Sequence, residues 1–170
     1  NTQTLVLVRT DKDLEILRKL YNVATVFKRE EGKLTENNLW SFKSSTMFNL
    51  STDRGVFHSS RDGMADPVPL YEGKMIHQFD DRWATFDNPR KNDEPRDVTL
   101  SEKQVFNFRP KPQFWVEHEV VLKKFLEKNG ESWWQQPWML GFRDVSSPTN
   151  QRTLIYSILP SSFGVGHTIN

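Results

Sequence analysis

The sequence predicts an α+β fold: a mixed or mainly antiparallel sheet with two or three helices packed on it. Three observations point there. Short runs rich in β-branched and aromatic residues recur along the chain. Helix-start signals appear at only a few places, around Thr10, Thr99 and Glu117. Between them lie turn-forming stretches, and the segment Asp87–Pro112 carries four prolines (Pro89, Pro95, Pro110, Pro112) that forbid a continuous helix or central strand. A chain of 170 residues fits a single domain, residues 1–170, with a real core, and twelve Phe and six Trp supply bulk to close it.

In chain order, Thr4–Val8 (TLVLV) reads as a short buried strand. Thr10 and Asp13 then form a capping box, with Asp in place of Glu, for a helix whose Leu14, Leu17 and Tyr21 share one face. Lys28–Asn38 is a polar loop or exposed hairpin. Met47–Leu50 and Val56–His58 read as strands joined by the turn residues Ser51–Gly55, with His58 a structural histidine.

Pro69–Phe86 (PLYEGKMIHQFDDRWATF) mixes residue types that neither a plain core strand nor a solvated helix combines, although Leu70–Tyr71 and Trp83–Phe86 read as short strands. Lys74, His77, Gln78 and Arg82 are donors suited to phosphate oxygens and base edges. The same composition suits a polar loop in which Arg82 pairs with Asp80 or Asp81.

After the proline-rich loop, where a short helix starts at Thr99 with Glu102 closing a capping box, the clearest helix is Glu117–Lys128. Acidic residues open it, Val121, Leu122, Phe125 and Leu126 form an apolar stripe, and Asn129-Gly130 ends it. Ser132–Trp138 brings three indoles together, as a stacking platform or as tryptophans folded back on the sheet. Trp138–Leu159 reads as a hairpin with its turn at Ser146–Gln151, which gathers Arg143, Asn150, Gln151 and Arg152 near one tip, with Thr149 in the turn beside them. Arg suits guanine and phosphate, and Asn or Gln suits adenine, so this tip is a candidate for reading DNA; it is equally an exposed turn held by an Arg143–Asp144 neighbourhood.

Taken together and in order, PLYEGKMIHQFDDRWATF, RDVTLSEKQ (Arg96–Gln104), FWV (Phe114–Val116), WMLGFRDVSSPTNQRTLIYSILP (Trp138–Pro160) and GVGHT (Gly164–Thr168) resemble one family, as does the upstream SFKSSTMFNLSTDRGVFHS (Ser41–Ser59). It is the target-recognition region that follows the catalytic domain in large adenine-specific (N6) DNA methyltransferases of restriction–modification (type IIG-like) and related phage-defence systems. The resemblance implies double-stranded DNA as the partner, contacted through Lys74, His77, Gln78 and Arg82 and through Arg143, Thr149, Asn150 and Arg152. It also implies a catalytic methyltransferase domain in the same polypeptide that carries S-adenosylmethionine. The segment itself has neither that family's Asn-Pro-Pro-Tyr type of motif nor its glycine-rich cofactor loop. Asn88-Pro89-Arg90 lacks the aromatic that would stack on a flipped base. No cofactor and no methylation by this piece alone are therefore expected.

The remaining composition narrows the alternatives. A net charge of +1, from 23 basic and 22 acidic residues, requires any DNA contact to come from cations clustered on one face. No cysteine is present, so neither a disulfide framework nor a thiolate metal site exists, in keeping with a cytoplasmic protein. No apolar run approaches the ~20 residues of a membrane span. The chain lacks an initiating Met and ends abruptly at His167–Asn170, which predicts a fragment of a larger protein. Two other functions fit some of the residues. A partner-interaction module would use the tryptophans of Trp133–Trp138. A metal-dependent nuclease would use Glu72 and Lys74, with Asp62 or Asp66 as second carboxylate.

Overall fold

The computed structural model describes residues 8–24, 45–129, 136–147 and 149–170. They belong to two compact units, residues 1–44 and 45–170, and helices and small mixed or antiparallel sheets give the α+β class expected from the sequence. Among the described residues no helix is long and apolar enough to cross a membrane.

In the first unit, helix α1 (Asp11–Val23) starts at the expected capping box. The Thr10 hydroxyl accepts from the Asp13 amide at 3.2 Å, and the Asp13 carboxylate accepts from the Thr10 amide at 3.0 Å. None of the residues of α1 is buried. The strand expected at Thr4–Val8 and the loop Lys28–Asn38 lie outside the described residues, save Val8, which is exposed and unpaired in any ladder.

The second unit is organised by β1 (Pro67–Tyr71). It pairs antiparallel with β4 (Phe114–Glu117), Pro67 opposite Glu117 and Leu70 opposite Phe114, and parallel with β7 (Gly164–Val165), Leu70 opposite Gly164. Strand order β4-β1-β7 thus draws the C-terminal end of the chain against its middle. Only glycine allows β7 so close: a Cβ on Gly164 would sit 2.8 Å from Val116 Cγ1 and 3.1 Å from Leu70 Cδ1. Between these strands come β2 (Ala84–Thr85) and β3 (Arg96–Asp97), a short antiparallel pair, and helix α2 (Leu100–Gln104). The Thr99–Glu102 capping box of α2 is present as read from the sequence.

Helix α3 (His118–Asn129) follows β4 directly and lays Val121 and Phe125 into the core with Phe48, Leu70, Tyr71, Met75, Ile76, Val116, Leu159, Val165 and Ile169. Strands β5 (Trp138–Phe142) and β6 (Tyr156–Pro160) form the expected hairpin, with Leu140 opposite Ile158 and Phe142 opposite Tyr156.

The strands expected at Met47–Leu50 and Val56–His58 shrink to single bridges, Phe48 with Gly166 and His58 with Trp115. Local side-chain bonds hold the backbone between them in turns instead. Asn49 Oδ1 accepts from the amides of Ser51 and Thr52 at 2.9 and 3.3 Å, Asp53 Oδ2 accepts from the Asn49 amide at 2.8 Å, and Arg54–Val56 closes into a single 3-10 turn.

Candidate nucleic-acid interface

The Gly73–Phe86 segment is built outward from the end of β1. After Tyr71 the chain makes a 3-10 turn at Gly73–Met75, where the Gly73 amide donates to Thr168 Oγ1 at 2.8 Å; a Cβ at Gly73 would meet the Thr168 carbonyl oxygen at 2.8 Å. Met75 and Ile76 are then buried as anchors. His77–Asp80 forms a tight turn closed by two backbone bonds, His77 N–H to Asp80 O at 2.8 Å and Asp80 N–H to His77 O at 3.0 Å.

That turn docks on the start of β6. The Phe79 amide donates to the Tyr156 carbonyl at 2.9 Å, the Tyr156 amide donates to Gln78 Oε1 at 3.4 Å, and the Phe79 and Tyr156 rings meet edge to face at 5.1 Å. Phe79 holds a positive φ of 61° while 72% of its surface is exposed. A bulky residue in the left-handed region is costly, so the contacts with Tyr156 are what sustain it.

His77 lies ring against ring with Trp83, centroids 4.4 Å apart, and Lys103 sits 5.3 Å over that indole while pairing with Asp80. Partial burial lowers the His77 pKa below 6.5, and the nearby positive charges of Arg143, Arg152 and Lys103 lower it further against the opposing pull of Asp80. Through its bonds to the Ile76 carbonyl, Arg143 of the second sequence group lies next to His77 and Gln78 of the first.

The eight residues singled out from the sequence are not equivalent. Arg143 is turned inward: its Nε and Nη2 donate to the Ile76 carbonyl at 3.1 and 2.5 Å, and burial lowers its pKa. Its guanidinium braces the turn against β5. Lys74 is exposed but its ammonium meets Glu94 at 2.7 Å, so its charge is shared. Arg82 makes neither of the pairings with Asp80 or Asp81 that a plain polar loop would give it, since only its backbone amide meets Asp80, at 2.9 Å. Its charge acts on the Tyr71 hydroxyl.

Thr149 and Asn150 are fixed by Ser147, whose Oγ lies 2.6 Å from Thr149 Oγ1 and whose carbonyl accepts from the Asn150 amide at 3.0 Å. Arg152 is exposed and, among the described residues, has no ion-pair partner.

The carboxylates of the nuclease alternative do not assemble. Among the described residues no group of three His, Asp or Glu side chains is placed to hold a metal ion. Glu72 is buried with Oε1 unpartnered among the described residues, and that burial raises its pKa above 4.5 despite the counteracting charge of Lys74. Asp62 is bonded to Ser60 and Asp66 to His118. Of the tryptophan cluster, Trp133 and Trp134 lie outside the described residues, and Trp138 opens β5 with half its surface exposed.

One feature that sequence reasoning missed is a groove of about 850 Å³ whose lining includes Arg61, Asp62, Tyr71, Arg109, Lys111 and Trp115. The signal was present in Arg109-Pro110-Lys111-Pro112, two cations on a proline-stiffened backbone. Nothing local linked them to Arg61.

Comparison of the chain with protein-family models, with curated proteins and with solved structures gave no match.

Proposed function

We propose that this chain binds double-stranded DNA and reads its sequence, as the target-recognition part of an adenine-specific DNA methyltransferase or restriction–modification protein. The methyltransferase setting rests on the ordered resemblance of the blocks from Ser41 to Thr168. The observation that carries the DNA reading is the docking of the His77–Asp80 turn on β6, with Arg143 bracing that turn through the Ile76 carbonyl. Arg152 and Arg82 supply phosphate contacts, Gln78 and Asn150 reach base edges, and Lys74 and Arg143 chiefly hold the framework.

A second reading has its own support. The outer face of the β5–β6 hairpin exposes Trp138, Leu140 and Ile158, the last two directly paired, and such a face suits a protein partner.

Salt separates the two. Affinity for a DNA duplex, measured by fluorescence anisotropy as salt is raised, should fall with a slope of about −0.9 per phosphate neutralised. A flat salt response, or no duplex binding either by this chain or by the longer protein that contains it, would remove the DNA reading and leave the apolar face as the functional surface.

A further inference from the structure

The groove beside β1 is made of residues that the duplex reading does not use. Arg61, Arg109 and Lys111 line it against a single carboxylate, Asp62, which is already bonded to the Ser60 hydroxyl at 2.6 Å. None of the three cations has an ion-pair partner among the described residues. The Arg109 guanidinium bonds only its neighbour's carbonyl, Phe108 O, at 3.1 Å. Unpaired cations gathered in a concave site favour an anion.

The remaining lining is aromatic. Arg61 lies 5.9 Å over the Trp115 ring, and Tyr71 packs on Phe163 at 5.3 Å. Tyr71 lines the groove with only 1% of its surface exposed.

We propose that this groove binds a nucleotide unit, its base ring lying against Trp115 and its phosphate held by Arg61, Arg109 and Lys111. The volume accommodates one such unit. Ring and phosphate are the chemistry recognised, and both a free nucleotide and a nucleotide within a single strand present it. The inference stands apart from duplex reading, because a chain that ignores duplexes still has this groove.

Calorimetric titration of the whole chain with adenosine monophosphate, with a short single-stranded oligonucleotide and with inorganic phosphate tests it. Saturable binding of the mononucleotide or the oligonucleotide is expected, with phosphate alone weaker because it forfeits the ring contacts. Equal affinity for the two nucleotide probes identifies a free nucleotide as sufficient, and tighter oligonucleotide binding identifies a strand. The double variant Arg109→Ala, Lys111→Ala, both exposed positions, should weaken binding about tenfold or more. Absence of binding by folded wild-type chain, unchanged affinity in the double variant, or phosphate binding as tightly as the mononucleotide would each overturn the proposal.

Discussion

Glu102 accepts two hydrogen bonds from the Arg96 guanidinium, at 2.6 and 3.0 Å, and two from Thr99, from its amide at 2.8 Å and its hydroxyl at 2.9 Å. Those bonds, Arg96 first and Thr99 next, hold its carboxyl down to about 2 from an ordinary 4.5. Because the folded value is the lower one, the stability that Glu102 supplies is complete above pH 4.5 and is lost as the pH falls towards 2. A carbon-detected NMR titration should show its midpoint near 2, and Glu102→Gln should flatten this part of the acid-unfolding curve; a midpoint near 4.5 would mean that the Arg96 pair does not persist in solution. This residue was legible in advance, since a capping box is written within four positions. Its partner Arg96 was not, and neither was the Lys74–Glu94 pair, which joins residues 20 positions apart.

Elements were legible to the extent that their cause is local. The caps of α1 and α2 and the β5–β6 hairpin follow from neighbouring residues, and all three are present. Helix α3 keeps its expected span within a residue at either end. By contrast, the partner of β1 on one side is β7, nearly a hundred residues on along the chain, and the runs at Met47–Leu50 and Val56–His58 gave no sign that asparagine and aspartate side chains would claim their backbone. The close seat of β7 makes a sharp prediction. Gly164→Ala should destabilise the fold by about 1–3 kcal/mol, read from urea unfolding, because the new methyl must displace the core side chains of Val116 and Leu70. Gly55→Ala, with open space around the added carbon, is the control that should cost far less.

For the whole molecule the near-zero net charge matters less than its distribution. The nearly balanced 23 basic and 22 acidic residues hid two separate sites: the turn at His77, whose pKa is lowered by burial and by the charges of Arg143, Arg152 and Lys103 against the pull of Asp80, and the groove of Arg61, Arg109 and Lys111. The sequence pointed to the first through residue types at Pro69–Phe86 and at the hairpin tip, but it could not say which cations would be spent on the fold. Arg143 bonds a carbonyl and Lys74 a carboxylate, while Arg152 stays exposed. The second was invisible because it is assembled by the pairing of β1 with β4, which brings Trp115 alongside Pro69.

The account of DNA binding turns on Arg152 acting from the hairpin tip together with the docked turn. The most direct test is the salt dependence of duplex affinity for the wild-type protein and for Arg152→Ala, measured side by side. The account predicts weaker binding by the variant and a log–log salt slope shallower by roughly 0.9, one phosphate contact. Identical slopes and affinities for the two proteins would contradict it.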